Sequence, residues 1–73
     1  MKKAQLVIHT SSGLEFQFID AATDKPLSDR IFWCSDEDIE NADDVEELEE
    51  LGWKKMEALA AKNDLEIVER VWS

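Results

Sequence analysis

Fifteen residues, Asp36 to Glu50 (DEDIENADDVEELEE), carry ten carboxylates and no Lys or Arg. The remaining eight acids are matched by eight bases, so the whole net charge of -10 sits in this run. Carboxylates at such density can do three kinds of chemistry. As a general acid and base pair they would need environments that push two pKa values apart, which solvated neighbours do not supply. No residue is therefore assigned a catalytic role. As a calcium loop, Asp36 to Glu47 places Asp36, Asp38 and Glu40 at the first, third and fifth positions, the Ala42 carbonyl at the seventh, Asp44 at the ninth and Glu47 at the twelfth. The sixth position, which the loop needs as Gly, is Asn41, and the preceding RIFWCS reads as strand rather than as the incoming helix. A divalent-cation module stands as an alternative, with no residue assigned as a metal ligand and no cofactor expected.

As a docking surface the run is better placed. Asp43, Glu46, Glu47 and Glu50 fall on the polar side of a helix, with Asp36, Asp38 and Glu40 just before it. Carboxylates along a helix rising about 1.5 Å per residue approximate the roughly 1.7 Å per charge of duplex DNA. Small acidic inhibitors that mimic DNA share this composition, a similarity that names no family. The expected partner is a basic protein surface, with a nucleic-acid-binding protein as the concrete candidate. Direct binding to nucleic acid or to anionic lipid is not expected, because both attract Lys and Arg instead. The plain reading of the same run, a solvated helix start favoured by the helix dipole, needs no partner.

His9 and Cys34 are the only histidine and cysteine. Simple alternation puts both on one face of a sheet, where neighbouring strands would let the imidazole activate the thiol; a lone Cys packed as a small hydrophobe is the ordinary alternative. A single cysteine permits no internal disulfide, and one His with one Cys does not complete a zinc site. Trp33 and Trp53 suit core packing, while Trp72 is left open. None has the basic surroundings of a base-stacking platform.

The elements that must position these residues follow from periodicity. Residues 4–10 and 14–20 alternate and are separated by Ser11, Ser12 and Gly13, which predicts a β-hairpin with Leu6, Ile8, Leu14, Phe16 and Phe18 on its buried face. AATDKPLSD is a loop set by Pro26 and its polar neighbours. RIFWCS predicts a third strand, apolar on both faces and so expected away from a sheet edge or covered on each side.

A helix over residues 43–62, capped by Asn41 or Asp43, gathers Val45, Leu48, Gly52, Met56 and Leu59 on one side. Trp53 and Ala60 lie on one shoulder and Leu51 on the other. Gly52 near the centre of that stripe predicts a close approach to the sheet. LEIVERVW predicts a fourth strand, with Leu65, Ile67 and Val71 facing one way and Val68, Arg70 and Trp72 the other.

The order β-β-β-α-β predicts one α+β domain over residues 1–73, two layers deep, with a mostly antiparallel sheet covered on one face by a single helix. The uncovered face is expected to show Val7, Ile19, Phe32, Val68 and Trp72 as a second contact surface, suited to a homodimer. The apolar run after Lys2 and Lys3 stops at His9, too short for a secretion signal, and no run is long enough to span a membrane. The expectation is a cytoplasmic protein.

Overall fold

The computed structural model describes all 73 residues. The elements in chain order are β1 (Lys2–His9), β2 (Leu14–Asp20), β3 (Ile31–Cys34), α1 (Asp36–Asn41), α2 (Val45–Lys62) and β4 (Leu65–Trp72). They form the expected α+β architecture, a four-stranded sheet in the order β3-β2-β1-β4 with the main helix packed on one face. β1–β2 and β2–β3 are antiparallel, while β4 runs parallel to β1 at the opposite edge from β3. The parallel pairing requires a crossover, and α1 and α2 make it from one edge of the sheet to the other.

The hairpin register places Leu6 opposite Phe18 and Ile8 opposite Phe16. With Leu14, these side chains form the sheet half of the core; Leu6, Ile8 and Phe16 are fully buried. Full burial of such a side chain contributes about 1.5–3 kcal/mol. The turn between the strands closes on Gly13, whose φ of 85° and contact with the Cys34 carbonyl leave no room for a Cβ.

From α2, the core receives Gly52, Trp53, Met56 and Ala60. Gly52 behaves as its position predicts: a Cβ there would lie 2.8 Å from the Phe16 ring and 2.9 Å from Trp33 Nε1. The buried stripe is centred nearer Trp53 than expected. Leu51 is 52% exposed, and Val45 is also exposed.

Several expectations are corrected. Asp36–Asn41 is a separate helix, because Ser35 builds a capping box with Asp38; α2 then starts at Val45 on Asp44, one residue from the expected cap.

β3 is an edge strand rather than a sheltered one, and Phe32 is 62% exposed. Between Leu14↔Cys34 and Glu15↔Phe32 the register slips by one, leaving Trp33 as an extra residue. This β-bulge turns Cys34 onto the core side, where it is 4% exposed, instead of onto the open face beside His9.

A second slip, between Ala4↔Ile67 and Gln5↔Glu69, leaves Val68 unpaired in β4. Every later residue changes face. Arg70 and Trp72 thereby join Leu6 and Ile8 on the helix side, and Val71 joins Val7 on the open side.

Candidate functional site

The acidic run is divided between two helices. Nine of its ten carboxylate residues are exposed and Glu49 is half-buried. Of the seven expected in the docking surface, three are committed within the molecule. Asp36 Oδ1 accepts the Gly13 N–H at 3.0 Å, tying the hairpin turn to the start of α1. Asp38 accepts the Ser35 N–H at 3.1 Å while its own N–H donates to the Ser35 hydroxyl. Glu50 pairs with Arg70 at 3.2 Å. The other four, Glu40, Asp43, Glu46 and Glu47, are exposed and their side chains have no hydrogen-bond or ion-pair partner in the chain; Glu37 is in the same condition.

The cations of the chain lie elsewhere. Lys2 pairs with Asp20 and Arg30 with Glu15, while Arg70 bridges Glu50 and Glu57. No internal base therefore neutralises α1 or the first turn of α2.

Glu49 is the half-buried member of the run. Burial first, then Glu46 and Glu50, hold its carboxyl above the usual carboxylate range. The Cys34 thiol is likewise pushed up, mainly by burial and then by Asp38, Glu49 and Asp36. A raised thiol pKa opposes thiolate formation. His9 is on the other side of the sheet, its Nε2 3.0 Å from Gln17 Oε1, with β2 between its strand and β3. The imidazole and thiol do not meet.

The calcium-loop reading meets a helix. Its first six positions, Asp36 to Asn41, are α-helical, and the side chain of the first of them accepts from Gly13. A helix projects successive carboxylates outward instead of wrapping them around an ion. No three His, Cys, Asp or Glu side chains converge where a metal ion could be held.

The expected second contact surface is dispersed. Val7 is only 9% exposed, on a face where His9 contacts Gln17, Gln17 donates to the Ser28 carbonyl and Gln5 donates to Glu69. Phe32 and Val68 are exposed at opposite edges of the sheet, and Ile19 is half-buried beside Pro26. Trp72, 56% exposed, is on the helix side, edge-to-face with Trp53 at a centroid separation of 6.1 Å. The bulge at Val68 put it there.

The same bulge creates a cluster that alternation alone does not reveal. Arg70 stacks 5.1 Å over Trp53 and bonds both Glu50 and Glu57, chiefly Glu57, which raises its already high pKa. A signal was present in the helix: Glu50 and Glu57 flank Trp53 at spacings of three and four residues, so one cation over the indole reaches both.

No helix is long and apolar enough to cross a membrane. No protein-family model, no curated protein and no solved structure matches this chain.

Proposed function

We propose that this chain is a non-enzymatic protein-binding module that docks the acidic surface of α1 and the start of α2 on a basic partner. A protein that ordinarily holds nucleic acid is the partner class that fits best, with this chain as its inhibitor. One observation carries the reading: Glu37, Glu40, Asp43, Glu46 and Glu47 stand exposed with no internal base or hydrogen-bond donor. A folded domain with eight bases leaves this ribbon uncompensated, while three of those bases pair with acids elsewhere or at its margin. Mutual repulsion costs stability, and a cationic surface relieves it.

The local hydrogen bonds support the same reading. The Asp36 bond to Gly13 ties the start of α1 to the hairpin, and the capping box at Ser35 and the Asp44 cap order the first turns of the two helices that carry the free carboxylates. Preorganisation of this kind lowers the ordering cost of association.

The experiment is capture on the immobilised chain across a salt series, with duplex DNA as a competing eluent. A partner is expected whose affinity falls at least about tenfold between about 50 and 300 mM salt, as charge-steered contacts do. DNA should displace it, and a Glu40→Gln, Asp43→Asn, Glu46→Gln, Glu47→Gln variant should lose it. A partner that ignores salt and binds the variant equally overturns the reading.

A further inference from the structure

The two edges of the sheet are not equivalent. β4 is an edge guarded by Glu66, Glu69 and Arg70 and broken by the bulge at Val68. Charges and bulges of this kind keep an edge from pairing with another strand. β3 is the sequence IFWC, with no charge inside it and with Phe32 exposed on the open face.

On the helix side, the start of β3 is also incompletely roofed. α2 packs closest to β4, and beneath its C-terminal half two neighbouring hollows of about 360 and 540 Å³ meet at Ile31 of β3 and Leu59 of α2. No carboxylate lines either hollow, in a chain with 18 acids, and the second is rimmed by Lys55 and Lys62. Neither lysine has an ion-pair partner.

We infer that two copies of this chain associate through their β3 edges, antiparallel about a twofold axis at Phe32, into a continuous eight-stranded sheet. The register follows from which way the side chains face. Residues directly opposite in an antiparallel pair share a face. Phe32 pairs with Glu15 on the open face, whereas Ile31 pairs with Phe16 and Trp33 donates to the Leu48 carbonyl, both on the helix side. Centring the pairing on Phe32 sets Phe32 against its own copy and Ile31 against Trp33 of the second copy.

The same axis supplies charge complementarity. α1 leaves the C-terminal end of β3 on the helix side and carries Glu37 and Glu40, while the lysine-rimmed hollow lies toward the N-terminal end on that side. Reversing the strand brings each α1 to the outer rim of the other copy's hollow. A four-residue strand by itself buries too little for a stable dimer, which typically needs about 1,200–2,000 Å²; the association therefore requires the two α1 contacts with the hollows as well as the strand pairing.

Sedimentation equilibrium of the purified chain tests this without any other partner. The expected result is a mass approaching twice 8.4 kDa with rising concentration. Phe32→Asp, at an exposed site, should weaken association at least tenfold with an unchanged circular dichroism spectrum. Lys55→Glu with Lys62→Glu should weaken it similarly, and adding Glu37→Lys with Glu40→Lys should restore it. The Phe32→Cys variant should oxidise to a covalent dimer, since residues facing each other across an antiparallel pair fall within disulfide reach. A monomer at all concentrations, or a dimer that Phe32→Asp leaves intact, overturns the inference. Both readings use Glu37 and Glu40, but the Phe32 variants leave every carboxylate of the acidic ribbon in place, so loss of association without loss of salt-sensitive capture, or the reverse, tells the two apart.

Discussion

Replacing Gly52 with alanine sets two effects of opposite sign against each other. In an open helix interior the change stabilises by about 1 kcal/mol, because Ala loses less backbone entropy than Gly. Here the added methyl would stand 2.8 Å from two atoms of the Phe16 ring and 2.9 Å from Trp33 Nε1. Neither ring is a loose end. Phe16 is fully buried and held edge-to-face by Trp33 and Trp53, and the Trp33 N–H is bonded to the Leu48 carbonyl at 3.0 Å.

Relief therefore requires α2 to lift or the aromatic group to leave its rotamers, at an overpacking cost of about 2–3 kcal/mol. The net expectation is a loss of about 1–2 kcal/mol, or roughly 5–15 °C in Tm for a domain of this size. Thermal and urea unfolding followed by circular dichroism measures it. Lys54→Ala against Lys54→Gly, on the exposed side of the same helix, provides the ordinary sign, with Ala the more stable by about 1 kcal/mol. A Gly52→Ala protein that melts higher than its parent would refute the close packing of α2 on Phe16.

Other outcomes follow from the side-chain networks. Arg70→Ala should destabilise by about 1 kcal/mol, combining a partly exposed two-carboxylate bridge with a cation stacked on Trp53, and the loss should shrink in high salt. Trp fluorescence would report the unstacking. Glu49→Gln should raise stability at neutral pH. Its carboxyl is held above the unfolded value, so folding opposes its ionisation: the penalty is complete above the folded pKa and absent below the unfolded one. The gain over the parent should therefore vanish in acid. Asp20 has the opposite sign, its pKa lowered chiefly by the Ala22 N–H and also by Thr23 and Lys2. Its contribution is present above the ordinary carboxylate range and lost as pH falls through its folded pKa, so Asp20→Asn should lie below the parent at neutral pH and converge with it in acid. Cys34 should resist alkylation at pH 8 in the native protein and react at the rate of a free thiol in urea, because burial and three nearby carboxylates disfavour the thiolate.

What the amino-acid order alone determined is local or additive. The hairpin is written in the alternation of Leu6, Ile8, Phe16 and Phe18, whose period of two sets all four on one face. The main helix and its close approach are written in the apolar stripe and in Gly52 at its centre. The confinement of negative charge to Asp36–Glu50 is a count, and no fold can alter it. What only the tertiary structure decided is which side the later strands present. A bulge adds one residue without any mark in the sequence, and because side chains in a strand alternate, one residue is enough to exchange the faces. Trp33 does this for Cys34, and Val68 does it for Arg70 and Trp72, which moved two residues from the expected contact surface into an exposed cation and indole cluster beside Trp53 of the helix. The division of the acids into Asp36, Asp38 and Glu50, held by the chain itself, and Glu37, Glu40, Asp43, Glu46 and Glu47, left to solvent, was settled in the same way. Asp38 is held locally by Ser35, but Asp36 and Glu50 depend on where the turn at Gly13 and the side chain of Arg70 come to rest, 23 and 20 residues away along the chain.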